Sequence, residues 1–344
     1  MSGRATIGTY TGDGVNGRAI TGVGFAPEAV IVNHQGSSFG FFYFRNASMT
    51  GNGMSSKGTT TAFMIQSLDS DGFTVGATGT ESANQNTFGF DWIAFADTSK
   101  TDFDYGTYTG NGASPRNIAV AFTPTVVLCG YKTSGLVHWN DQYTDTTKSM
   151  YWGSGNPPTW GNEITGNGVN LFTVGANQNV NGTEFFWIAF KRTAGSDFFD
   201  NGTYTGNATD DRNIQLTASN RFQPKLVHIF GQESLIGSDS AWHHDSFSTG
   251  DSTQELRSGA PTTAANMVQQ KNSDGFQIGT HDNVNFNNEK YYYEAWGAGL
   301  QITLATLPEP SDFSFSMGLP FSPYQRYKSV RQASLLVNNL GLGT

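Results

Sequence analysis

The sequence predicts an all-β protein built from three tandem antiparallel β-sandwich modules, followed by a C-terminal arm. A block with the same landmarks occurs three times in the 344-residue chain. Within each block, short runs rich in Val, Ile, Thr, Phe and Tyr are separated by Gly, Asn, Asp and Pro, which is typical of strands joined by turns. Charged residues make up 14% of the chain and there are 42 glycines, against about 25% charged residues in an ordinary soluble protein. This composition favours turns over exposed helices.

The repeated block opens with the phrase Gly-Thr-Tyr-Thr-Gly, which begins at Gly8, Gly106 and Gly202. An Arg-x-Ile sequence and a Phe-x-Pro sequence follow each phrase. Each block closes with a short Gly-Phe-Thr-Val-Gly type run and an aromatic strand. The three closing strands are Trp92-Ile93-Ala94-Phe95, Trp187-Ile188-Ala189-Phe190 and Tyr293-Glu294-Ala295-Trp296. Because the landmarks keep one order in all three blocks, they indicate three copies of one structural unit.

These landmarks place module boundaries at residues 1–98, 99–195 and 196–304, with an arm at 305–344. Seven short strands in one block imply two packed sheets, since each sheet must bury one face. The expected architecture is therefore a jelly-roll-like sandwich repeated three times, with short linkers that favour a compact trio. In the first block the predicted strands lie near residues 6–11, 18–24, 28–34, 39–45, 61–68, 72–77 and 88–96.

The arm at 305–344 differs from the blocks in charge and pattern. It is predicted to be extended at first and then helical, with Ser322 as N-cap and Gly341 as the stop. Residues 313–344 contain three basic residues and no acidic one, so the arm suits docking onto an acidic partner or a neighbouring copy. A few solvated charges on a helix are the simpler alternative. The predicted partner-binding residues are Pro320, Phe321, Tyr324, Arg326, Tyr327, Lys328, Arg331, Leu336, Val337 and Leu340.

Net charge and cysteine content argue against several classes of function. The formal net charge of −9 disfavours nucleic-acid binding, which needs clustered Lys and Arg. Cys129 is the single cysteine, which excludes an intrachain disulfide and a multi-thiolate metal site. The sequence has no apolar stretch of membrane-spanning or signal-peptide length. We therefore expect synthesis in a cytoplasm, with no membrane partner.

Common catalytic and cofactor motifs are absent from the sequence, so we expect no enzyme activity and no cofactor. The cluster Trp242-His243-His244-Asp245 is a weak metal candidate, because adjacent histidines on a strand point to opposite faces; an exposed strand end is the simpler interpretation. Glycoside hydrolysis needs a facing pair of carboxylates, and no spacing in the sequence brings together any two of Glu163, Glu184 and Glu289. Three aromatic residues favour either sugar stacking or protein contact: Tyr151, Trp152 and Trp160.

Comparison of the copies indicates a buried polar pair in the third module. At one strand position the copies carry Ile31, Leu128 and His228, and at another they carry Ile93, Ile188 and Glu294. A lone buried charge is costly, whereas a buried His beside a Glu can satisfy both groups. We therefore hypothesise that His228 and Glu294 are neighbours. Their role is either an acid–base or pH-sensitive contact, or a core or interface position peculiar to this module.

An arginine also recurs after each opening phrase, at Arg18, Arg116 and Arg212. Its presence in all three copies favours a structural role over substrate binding. The expectation is an ion pair with the linker carboxylates Asp102 and Asp197.

The landmarks together resemble a β-sandwich repeat found in structural proteins of tailed bacteriophages, often in tail fibres or other virion-surface proteins. The resemblance covers residues 6–300 and rests on the opening phrase, the Gly-Phe-x-Pro type run, Asp245-Ser246-Phe247 and the Trp-x-Ala-Phe strand. The chain departs from the pattern at Tyr293-Glu294-Ala295-Trp296 and in the arm. The resemblance implies association with a virion and implies no catalytic residues.

The expected function is that of a non-enzymatic bacteriophage structural protein located in the virion. The first expectation is an exterior capsid decoration, or cement, protein attached through its C-terminal arm. Its partners are then capsid or tail subunits or further copies of itself. The alternative is a tail-fibre or adhesion component that binds a host receptor or a surface glycan.

Overall fold

The computed structural model describes most of the first 299 residues. The described residues are 3–35, 42–55, 64–77, 82–131, 134–143, 147, 149–152, 159–161, 163–231, 240–244, 251, 253–256 and 263–299. The arm at 305–344, with its predicted helix and all its predicted partner-binding residues, lies outside them. None of the helices in this part of the chain is long and apolar enough to cross a bilayer.

The protein is all-β, and its strands fall into three groups in chain order. The first group has β1 (Arg4–Thr11), β2 (Arg18–Thr21), β3 (Ala29–Gln35), β4 (Phe42–Asn46), β5 (Met54–Ser55), β6 (Ile65–Asp69), β7 (Gly72–Val75) and β8 (Gly89–Ala96). The second has β9 (Phe103–Thr109), β10 (Arg116–Ala119), β11 (Val126–Tyr131), β12 (Ser134–Asn140), β13 (Ser149–Trp152), β14 (Thr159–Gly161), β15 (Ile164–Gly168), β16 (Leu171–Val174), a 3₁₀ turn (Asn177–Asn179) and β17 (Glu184–Phe190). The third has β18 (Phe199–Thr205), β19 (Arg212–Gln215), β20 (Leu226–Gly231), β21 (Ser240–His244), β22 (Thr253–Leu256), β23 (Thr263–Ala264), β24 (Val268–Asn272), β25 (Gly275–Ile278), helix α1 (Asp282–Asn285) and β26 (Lys290–Trp296).

Each group forms a module of one large and one small antiparallel sheet. The large sheets have the orders β1-β8-β3-β4-β5, β9-β17-β11-β12-β13-β14 and β18-β26-β20-β21-β22-β23. The small sheets have the orders β2-β7-β6, β10-β16-β15 and β19-β25-β24. The predicted all-β sandwich fold is therefore confirmed. The prediction missed β5, because a strand of two residues is too short to show alternation.

The opening phrase is repeated because two of its positions have no room for a side chain. A Cβ atom on Gly8, Gly106 or Gly202 would lie 2.4–2.7 Å from the ring of Trp92, Trp187 or Tyr293 on the neighbouring strand. A Cβ atom on Gly12, Gly110 or Gly206 would lie 1.9–2.0 Å from a backbone carbonyl oxygen. The tyrosine between them donates its hydroxyl proton to a backbone carbonyl in the segment before the closing strand, at Ala83, Gln178 or Val284.

The large sheets are covered on both faces. One face packs on the small sheet of the same module and forms that module's core, which in the second module also includes Phe230 and Tyr292 of the third. The other face contributes to a shared apolar core that contains residues of all three modules. The central strands β8, β17 and β26 are consequently buried along almost their whole length.

Three equivalent aromatic residues meet in the shared core. Phe95, Phe190 and Trp296 occupy the same register position of their modules, directly opposite Ala29, Val126 and Leu226. Their ring centroids are 5.0 Å (Phe95–Phe190), 5.7 Å (Phe190–Trp296) and 6.3 Å (Phe95–Trp296) apart. Mutual contact of three equivalent side chains is the arrangement expected around a pseudo-threefold axis, and residues 1–301 form one compact unit.

Candidate functional site

A buried polar cluster lies where the second module contacts the third. Strand pairing sets Glu294 of β26 directly opposite His228 of β20. His228 Nδ1 lies 3.6 Å from Glu294 Oε2, and both side chains are at most 2% exposed. The structure therefore brings together the two residues that comparison of the copies singled out.

The second module supplies the closest partners of Glu294. His138 Nε2 lies 2.6 Å from Glu294 Oε1, and Asn140 Nδ2 donates to the same oxygen over 2.9 Å. On its other side, His138 Nδ1 lies 2.6 Å from the Tyr143 hydroxyl oxygen. His138 and Asn140 stand two residues apart on β12, so both point to the same face of the sheet. One carboxylate of module three thus holds two side chains of module two.

Electrostatics favour an ionised Glu294 beside a neutral His228. Burial alone would raise the pKa of Glu294, but the charge and hydrogen bond of His138, with His228 in support, hold that pKa at about 2. Burial lowers the pKa of His228, and His138 acts in the same direction against the attraction of Glu294. Because an ionised carboxylate only accepts hydrogen bonds, His138 Nε2 must carry a proton and donate it.

The cluster continues toward the linker between the two modules. Asn201 Nδ2 donates to Asn140 Oδ1 over 2.9 Å and to Asp141 Oδ1 over 2.7 Å. Arg192, in the linker, donates to the carbonyl oxygen of Asn201 over 2.6 Å. Side chains of β12, β18, β26 and the linker are thereby tied together across the joint.

The joint between the first and second modules has a different composition at the same positions. There the strand pairs place Phe44, Leu128 and Ile188 where the other joint has His138, His228 and Glu294. Asn46, which corresponds to Asn140, donates to the carbonyl oxygens of Gly106 and Trp187 over 3.2 and 3.0 Å. The asparagine contact is common to both joints, and the ionisable cluster is peculiar to one.

Sequence reasoning missed His138 and Asn140 as members of the site. The signal was present, because His138 replaces Phe44 at the same register position. The simplest interpretation of the polar segments here was an exposed strand end, yet His138 and Asn140 are fully buried. The third module covers this strand end. The sequence of one repeat by itself does not show that another module packs against it.

The predicted ion pairs of the repeated arginines with Asp102 and Asp197 were wrong. Each arginine is the first residue of its strand, β2, β10 or β19. Its guanidinium donates to the carbonyl oxygen of the last residue of the opening strand, which is Thr11, Thr109 or Thr205. It also donates to a buried asparagine and lies over the tyrosine of the opening phrase. Asp102 accepts instead from the backbone of Gly3. The asparagine partners stand 63 to 73 residues after the arginines in the chain, and the sequence alone does not show that they come together.

The remaining candidates are dispersed. Glu163 precedes β15 of a small sheet, Glu184 begins β17 of a large sheet, and Glu289 lies in the third module. Trp242, His243 and His244 lie on β21, Tyr151 and Trp152 on β13 and Trp160 on β14. The structure describes only the backbone of these six residues, and Asp245 lies outside the described residues. Among the residues that are described, no three His, Cys, Asp or Glu side chains are grouped to hold a metal ion.

Comparisons with protein-family models and with curated proteins give no match for this chain.

Proposed function

We propose that this chain is a non-enzymatic structural protein of a bacteriophage virion, an exterior capsid decoration protein whose body is the three modules and whose residues 305–344 attach it. The observation that carries the proposal is the contact of Phe95, Phe190 and Trp296 around one axis. A body with pseudo-threefold symmetry matches a local threefold of a shell lattice, where three equivalent surroundings converge.

The candidate site supports a structural role better than a catalytic one. Catalysis requires a group within hydrogen-bonding reach of a substrate. Glu294 is 1% exposed, and its oxygens face His138, Asn140 and His228. Its bonding capacity holds one module against the next, which is what an assembly protein needs.

Charge also favours attachment through the arm. The excess of acidic residues lies in residues 1–312, whereas residues 313–344 are basic. Acidic bodies repel one another in solution, and a basic arm is attracted to an acidic neighbour. This division keeps free copies apart and allows the arm alone to bind the particle.

The test is incorporation of a chain that ends after residue 304 into particles assembled without the full-length protein. We expect the truncated chain to be absent from purified particles, while its thermal unfolding resembles that of the whole chain. A full-length Arg221→Ala variant is the control, because Arg221 is exposed on the body, and we expect normal incorporation.

Incorporation of the truncated chain at the wild-type level would overturn attachment through the arm. Binding of the truncated body to host cells or to glycans, without incorporation of the full-length chain into heads, would favour the adhesion alternative and overturn the decoration role.

A further inference from the structure

The two joints described above differ in one chemical respect. Equivalent positions are apolar between modules one and two and ionisable between modules two and three. The two joints can therefore be compared within one chain, because they have the same strand geometry and only one of them contains titratable groups.

We propose that the joint between the second and third modules is acid-sensitive: mild acid places a proton on buried His228, which loosens module three from module two, while the joint between modules one and two does not respond.

The groups around His228 explain why a further proton is not accommodated. Glu294 comes from β26, His138 from β12 and Tyr143 from the segment after β12. Asp141 and Arg192 stand at the outer end of the cluster. Against this cluster, the ring of Phe230 lies 4.9 Å from the ring of His228. Among the residues that the structure describes, Glu294 is the carboxylate that faces both imidazoles.

That carboxylate is already engaged by His138 and Asn140 at one oxygen. Its other oxygen lies 3.6 Å from His228 Nδ1, which is beyond a normal hydrogen bond. The ring of His138 lies 6.4 Å from that of His228, and its Nδ1 can either donate to the Tyr143 oxygen or accept from that hydroxyl. A positive charge on His228 would therefore be buried beside a second imidazole, next to a carboxylate that His138 and Asn140 already share, which is costly.

The sign follows from linkage. The pKa of His228 is lower in the folded protein than in water, so the opened joint binds more protons than the closed one. The stabilisation is complete above the ordinary histidine pKa, about 6.5, and is lost progressively as the pH falls below it. Glu294 acts in the same direction at lower pH, from its ordinary range down to about 2.

Hydrogen exchange of the full chain at about pH 7.5 and about pH 5 tests the proposal, after correction for the intrinsic pH dependence of exchange. We expect exchange of β20 and β26 amides to rise at the lower pH, by up to about 30-fold if the opened His228 titrates normally. His228→Leu installs the residue of module two, and His228→Gln is a neutral polar replacement. Each of these variants that folds is expected to lose this rise.

The matched control is His34→Tyr, because His34 is a buried histidine within module one and Tyr131 holds the corresponding position in module two. This variant should keep the wild-type response of β20 and β26. An unchanged exchange rate in wild type between the two pH values would overturn the proposal. So would a full acid response in either His228 variant. The body would respond in this way whatever surface it is attached to.

Discussion

At the scale of single residues, the glycines of the opening phrase are required by residues that lie far from them in the sequence. Their neighbours are rings on the closing strand and carbonyls in the segment just before it, which are far along the chain from the opening phrase. Gly-Thr-Tyr-Thr-Gly could be recognised from the sequence as a repeated landmark. Its reason could not, because the close approach exists only after β1, β9 and β18 pair with β8, β17 and β26.

Replacement of Gly110 by alanine tests this close approach. The added Cβ would lie 2.0 Å from the carbonyl oxygen of Val180, so the backbone must shift. We expect a loss of about 1–3 kcal/mol or more in the free energy of unfolding, measured by urea denaturation. Gly161→Ala is the control in the same module, because its Cβ would have an ordinary contact of 3.6 Å with Glu163. Equal effects of the two substitutions would refute the explanation.

The buried cluster shows what comparison of copies can and cannot find. His228 and Glu294 were detectable, because both positions are apolar in the other two copies. His138 was harder to place, because its strand end carries polar residues in every copy and one module by itself would leave it exposed. Its burial arises from docking of module three onto β12, which is a contact between distant parts of the sequence.

At the scale of elements, each repeated arginine braces the end of an opening strand. In the second module, Arg116 donates to the Thr109 carbonyl over 2.6 Å and to Asn179 Oδ1 over 3.0 Å. Its guanidinium also lies over the ring of Tyr108, at 5.2 Å from the centroid. These contacts join β9, β10 and the 3₁₀ turn.

Arg116→Ala is therefore expected to lower the free energy of unfolding by about 1–2 kcal/mol, since it removes two hydrogen bonds and a cation–π contact from a partly buried position. Arg221→Ala should change stability by no more than about 0.5 kcal/mol, as is usual for exposed surface positions. Thermal and urea unfolding of both variants provide the measurement. If Arg116→Ala left the free energy of unfolding unchanged, the contacts of Arg116 would add nothing to stability.

Element boundaries were predictable where a long run of β-branched and aromatic residues is bounded by turn residues, as for β1 and β8. The prediction extended β2 to residue 24, although the strand ends at Thr21. Beyond that point Gly22 and Gly24 adopt positive φ angles of 87° and 84°, which turn the chain out of the sheet. The two glycines indicate a turn, but the apolar residues Val23 and Phe25 beside them led to the prediction of a continuing strand.

At the scale of the whole molecule, the three modules share one apolar core as well as their own cores. The sequence predicted a compact trio from short linkers. It did not identify the shared face, because residues that alternate toward either side of a doubly covered sheet are all apolar. Phe95, Phe190 and Trp296 could be aligned from the sequence, but their mutual contact required the docked arrangement.

The shared core predicts a single cooperative thermal transition for residues 1–301. Loss of one module would expose the inner faces of the other two, so no module is expected to unfold separately at neutral pH. Calorimetry should give a calorimetric enthalpy equal to the van't Hoff enthalpy. Three resolved transitions would show that the modules are independent domains.

The central proposal is most directly tested by an electron cryomicroscopy map of the intact particle that carries this protein. We expect the three modules on the outside of the head, with the Phe95–Phe190–Trp296 axis on a local threefold of the shell and residues 305–344 against a neighbouring subunit. A map that places the body at the tail tip, or that shows no density for it on the head, would contradict this account.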